Sequence, residues 1–177
     1  MLYRLRADAP AGLVPLAWAF VTAAHLGIVA DRTLLVAHLV MDGLLVAFVA
    51  LSWSDMTRGV LLAWRRVILA GIPLTLAGTA GLALPLSTAF LWVAVVGWML
   101  LPAAGLVYTG LAVDGGAAVT VNLGGAALSL LGAVAYALGG LWGSAPFLAG
   151  VVHPAVPGLV LAGVGQTAGI VDAVFRY

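Results

Sequence analysis

The sequence contains no cysteine, no lysine and no glutamate. Without cysteine there are no disulfides, no thiolate metal sites and no thiol redox chemistry. Without lysine there is no Schiff base, so a covalently bound retinal pigment is excluded. Without glutamate the zinc-protease pattern H-E-x-x-H cannot be written, and a G-x-S-x-G nucleophile elbow is also missing. Charge of either sign is scarce: six aspartates and seven arginines make up 7% of the chain, against about 25% in a soluble domain. So few polar side chains cannot cover a water-facing surface. The net charge of +1 offers no attraction for nucleic acid.

What is present is hydrocarbon. Hydrophobic residues make up 64% of the 177 positions, so the expected solvent for most of the chain is lipid. Six runs approach the roughly 20 apolar residues that a membrane-spanning helix needs. They cover about 11–30, 33–53, 67–85, 88–111, 117–141 and 147–175. The last is long, and "HPAVP", with Pro154 and Pro157, is expected to break it near residue 154. The short basic start "MLYRLRADAP" is followed by an apolar run without a small-residue cleavage motif, so that run reads as a retained first span.

The arginines set an orientation. Arg4, Arg6, Arg58, Arg65, Arg66 and Arg176 fall on one side of a six-span chain, and only Arg32 falls on the other. The positive-inside rule then puts both termini in the cytoplasm and the protein in the cell membrane. The stretch "DMTRGVLLAWRRV" reads as an interfacial helix before span three. The alternative starts span three near residue 59 and draws Arg65 and Arg66 towards lipid. The fold expected is an all-α, polytopic integral membrane bundle of about six transmembrane helices, a single domain over 1–177.

Glycines recur at seven-residue spacing: Gly125, Gly132 and Gly139 in span five, Gly71 and Gly78 in span three, Gly158 and Gly165 in span six. In lipid, small residues let helices approach closely, and this spacing suits crossings near +20°. Asn122 and Gln166 are expected to bond across helices. Asp172 and Arg176, four apart, are expected to pair. Trp18 is expected to pack.

The functional hint is in "TAAHLGIVADRTLLVAHLVMD", residues 22–42. His25 and His38 each lie six residues from the nearer member of the Asp31-Arg32 pair. On antiparallel helices, equal spacing gives equal depth, roughly 10 Å below the turn. His153 falls in the same outer half. Met41 and Asp42 follow His38 by three and four residues, on or near the same face. An ionisable group within a span marks a functional site by default. Three readings are open. The imidazoles form a cross-helix polar pair or line an aqueous vestibule. They ligate haem, copper or another metal, with Met41 a soft ligand and Asp42 orienting a ring. Or they relay protons in transport.

"AHLVMDGLLVAFVAL", residues 37–51, resembles the haem-ligating helices of haem–copper oxidase subunit I and of nitric-oxide-response membrane proteins. The shared features are a histidine near the outer side, a methionine soon after, and a glycine-containing apolar run. Met41 falls at +3 rather than +4, the His-His pair of the oxidase active-site helix is missing, and there are half as many spans. The resemblance implies b-type haem near the outer face with His38 as an axial ligand, for electron transfer or gas sensing rather than oxygen reduction. On this reading His25, His38 and His153 are the ligand candidates and Asp42 supports them. The alternatives are a small-solute or proton-coupled transporter or channel, and a non-catalytic assembly subunit. Expected partners are membrane lipid and membrane or electron-transfer proteins; further copies of the chain are compatible.

Overall fold

The computed structural model describes residues 2–84, 88–142 and 155–176. They form six helices: α1 (Leu2–His25), α2 (Asp31–Ser52), α3 (Gly59–Ala83), α4 (Ala89–Ala112), α5 (Gly116–Trp142) and α6 (Val156–Arg176). No strand occurs among the described residues. An all-helical chain follows from its solvent, because a helix satisfies its backbone N–H and C=O groups internally where no water can. α2 to α6 are each long and apolar enough to cross a membrane. In α1 the apolar stretch is shorter, Pro10–His25.

The packing order differs from the chain order. α2 packs on α3, α3 on α4, α4 on α5, α5 on α6, and α6 on α1; α4 also touches α6. α1 and α2, although consecutive, barely touch. The turn between them has a local cause. Gly27 adopts φ +72°, Gly27 N–H donates to the Ala24 carbonyl at 3.0 Å, and Ile28 N–H donates to Ala23 at 3.0 Å. This is the Schellman closure, and the left-handed residue at its centre favours glycine. It ends α1 at His25, five residues before the span boundary expected from hydropathy.

α3 also departs from expectation. It runs unbroken from Gly59 to Ala83, so "GVLLAWRRV" is its first turns and not a separate interfacial helix. Its 25 residues rise about 37 Å, more than the roughly 30 Å hydrocarbon thickness, so the arginine-bearing turns can reach the headgroup zone. Arg65 is held there. Its Nη1 donates to the Trp53 carbonyl at 3.0 Å, and its guanidinium lies 4.4 Å from the Trp53 ring centroid.

The tightest interface is α5 on α6. A Cβ on Gly125 would strike the Gly165 carbonyl oxygen, and one on Gly132 would fall 2.6 Å from the Gly158 carbonyl oxygen. Backbone meets backbone at two levels, as the glycine spacing anticipated. Met99, Leu106 and Leu159 are fully enclosed, and Trp18 of α1 packs into the same core against Gly163.

At the centre sits Gln166. Its Oε1 accepts from Trp18 Nε1 at 3.0 Å. Its Nε2 donates to the Trp98 carbonyl and to Ser129 Oγ, both at 2.8 Å. Ser129 in turn donates to the Met99 carbonyl at 2.8 Å. One amide from α6 thus ties α1, α4 and α5 together. Pro102 explains its place: lacking N–H, it cannot supply the helical donor for the carbonyl four residues earlier, which is that of Trp98. Near the far end of the same interface, Asn122 donates to Asp172 at 3.1 Å, and Arg176 pairs with Asp172 at 2.8 Å.

Candidate functional site

The residues singled out by sequence fall into two separate places, and His153 lies outside the described residues. His25 is the last residue of α1. Its Nδ1 lies 2.9 Å from the Val21 carbonyl, which can only accept, so Nδ1 carries the proton. Nε2 of the neutral ring then accepts from the Tyr136 hydroxyl at 3.0 Å. The His25 and Tyr136 rings meet edge-on at 5.5 Å, and the Trp92 ring lies tilted against Tyr136 at 5.0 Å. His25 is therefore engaged with α5, which α1 reaches across α6.

His38 belongs to the α2–α3 contact instead. Its Nδ1–H donates to the Leu34 carbonyl at 3.0 Å. The far edge of the ring lies against Gly78 of α3, where an added Cβ would fall 2.9 Å from both Cδ2 and Nε2. Glycine at 78 leaves the ring its room. The Nδ1 bond leaves Nε2 as the acceptor, or metal-competent, nitrogen. Because α1 ends at His25, that residue sits at the start of the α1–α2 turn while His38 lies two turns into α2. The equal helical rise expected on the two sides is therefore not present, and the two histidines have different neighbours, one on α5 and one on α3.

Asp42 lies one turn beyond His38, at the middle of α2. Its Oδ2 accepts from Thr79 Oγ1 at 2.7 Å. Its Oδ1 is buried and has no hydrogen-bond partner among the described residues. Thr79 neighbours Gly78, so two consecutive positions of α3 receive His38 and Asp42 of α2. Met41 is half-buried on the same helix. The rest of α2 is largely bare, with Val36, Leu39, Val40, Leu44 and Val46 exposed to the surroundings that a membrane supplies.

His38, Asp42 and Thr79 therefore form a polar patch within an apolar helix pair. A carboxylate held on one oxygen and orphaned on the other is a natural place for a small cation or a proton. Among the described residues no group of three histidine, aspartate or similar ligands is placed to hold a metal ion. Thr79 and Tyr136 carry no motif in the sequence; only the fold names them as partners. No protein-family model, no curated protein and no solved structure matches the chain.

Proposed function

We infer that this integral membrane helix bundle is a transport protein in which Asp42 carries the proton that its cycle uses. The observation behind this reading is the Asp42 carboxylate itself. It stands at the middle of a span, Thr79 donates to one oxygen, and the other is buried without a donor among the described residues. A proton on Oδ1 would turn the orphaned acceptor into a donor and neutralise the group where charge is most expensive. His38, one turn away, offers Nε2 as an acceptor on the route towards the end of the bundle that carries the α1–α2 turn. Because α2 is held mainly by α3, a small shift between these two helices suffices to change what Asp42 meets.

The test is proton flux into liposomes that contain the purified chain and a trapped pH indicator, driven by a potassium diffusion potential. Wild type is expected to exceed protein-free liposomes, and Asp42→Asn to fall to their level, with His38→Ala slowed rather than silent. Equal flux in wild type and Asp42→Asn, or none in wild type with the proton as the only offered ion, would reject the reading.

A second reading, b-type haem or copper at His38, draws on one observation: the Nδ1–H bond to Leu34 leaves Nε2 as the ligating nitrogen. It requires α2 and α3 to part, because Nε2 faces Gly78. His25 and His153 are its further candidate ligands, with Met41 and Asp42 as support. An absorption spectrum of the purified protein, with metal analysis, decides it. A Soret band lost in His38→Ala supports haem; a colourless, metal-free protein that gives no saturable spectrum with haemin removes it.

A further inference from the structure

At the arginine-rich end of the bundle, α3 and α4 enclose a half-open groove of about 270 Å³. α3 contributes Gly59, Leu62, Ala63 and Arg66, and α4 contributes Leu101, Ala104 and Tyr108, along with neighbours on the same faces. On each helix these positions follow the i, i+3, i+4, i+7 pattern of a single face. Glycine and alanine keep the floor low, and leucines form the apolar walls. Trp64 Nε1 donates to Thr109 Oγ1 at 3.1 Å, and Gly105 lies against Val67. These two contacts fix the antiparallel register and bring Arg66 level with Tyr108.

We propose that this groove binds an anionic phospholipid, with Arg66 and Tyr108 on the headgroup phosphate and the start of one acyl chain along Leu62, Ala63, Leu101 and Ala104. Charge complementarity argues for this occupant. Arg65 is occupied by the Trp53 carbonyl and ring. Arg66 is exposed and has no ion pair or hydrogen bond among the described residues, and the Tyr108 hydroxyl has none either. Arg58 adds a further cation at the start of α3. Asp55 and Asp114 are the acidic groups in the turns at this end.

Depth argues the same way. Arg66 lies about 10 Å along α3 from its start, and Tyr108 about 6 Å from the end of α4, the zone where long basic and phenolic side chains meet headgroups. A basic pocket between spans at this level matches the chemistry of an acidic lipid headgroup. The volume is too small for a whole lipid, so most of both acyl chains stays in the bilayer.

The test is native mass spectrometry of the full chain in detergent, titrated with phosphatidylglycerol, phosphatidylcholine or inorganic phosphate. The expected result is one phosphatidylglycerol retained about fivefold more tightly than phosphatidylcholine, the effect of one basic residue near a headgroup. That preference should vanish in Arg66→Gln and persist in Arg32→Gln, whose charge lies at the other end. Ala104→Trp, which fills the groove and keeps Arg66, should lower retention of both lipids. Inorganic phosphate should not displace the bound lipid. Equal retention of the two lipids, an unchanged preference in Arg66→Gln, undiminished binding in Ala104→Trp, or displacement by phosphate alone would each overturn the proposal.

Discussion

Gln166 on α6 supplies the donor that Pro102 denies to the Trp98 carbonyl on α4, at 2.8 Å. A helix-breaking residue inside a span is tolerated when a neighbouring helix satisfies the freed carbonyl. The two residues should therefore be coupled. Gln166→Leu leaves the Trp98 carbonyl and Trp18 Nε1 without their partners and should cost about 1–3 kcal/mol. Pro102→Ala returns an N–H to α4. The double variant should lose measurably less than the sum of the two single changes, read by thermal unfolding in detergent. Simple additivity would mean that the amide and the proline act independently.

Gly132 tests the α5–α6 interface. Its Cβ would meet the Gly158 carbonyl oxygen at 2.6 Å and the Ala162 nitrogen at 2.8 Å, both rigid backbone atoms. Gly132→Leu should destabilise by about 1–3 kcal/mol or more, because neither backbone can give way. Gly124 has open space around its Cβ position, so Gly124→Leu should change stability by much less. Similar melting of the two variants would show that the α5 glycine face is not the contact that holds α6.

Tyr136 and His25 form the link from α5 to the end of α1. Tyr136→Phe retains the ring contacts with His25 and Trp92 and removes only the hydroxyl. The expected loss is about 1 kcal/mol. Hydrogen exchange should rise at the end of α1, around residues 22–28, more than elsewhere. Unchanged exchange there would mean that packing alone anchors α1.

Helix number and the α5–α6 glycine contact were legible because each rests on a local rule: hydropathy length for the first, small-residue spacing for the second. The expected bonding of Asn122 and Gln166 across helices, the Asp172–Arg176 pair and the packing role of Trp18 followed from the cost of unpaired polar groups in lipid. The end of α1 at His25 was harder to read, because the Schellman closure at Gly27 interrupts an apolar run that hydropathy counts as continuous. The unbroken α3 was also obscured, because two arginines mimic an interface that the helix crosses without a break. The equal spacing of His25 and His38 about Asp31-Arg32 did not carry over into equal helical rise, because α1 ends at His25, and helix rotation and neighbour order set their partners. Neither of those is written in a single periodic pattern. Thr79 was invisible for the same reason: its hydroxyl matters only because α3 turns it towards Asp42.

The Asp42–Thr79 bond makes a prediction about sign. Removing the acceptor and removing the donor should have opposite consequences, although both break the same 2.7 Å contact. In Asp42→Leu the orphaned Oδ1 disappears together with its burial cost, and the Thr79 hydroxyl can turn to the carbonyl four residues earlier, as Thr75 does towards Gly71 at 3.2 Å. Thermal stability should stay level or rise, as when well-packed apolar groups replace buried charge. In Thr79→Val both carboxylate oxygens are left without a donor, and stability should fall by about 1–3 kcal/mol. Adding Asp42→Leu to Thr79→Val should then restore most of the loss, while proton flux stays absent in every variant that lacks the carboxylate. Equal destabilisation by the two single changes would mean that the carboxylate is a structural clasp, and that its orphaned oxygen has no part in transport.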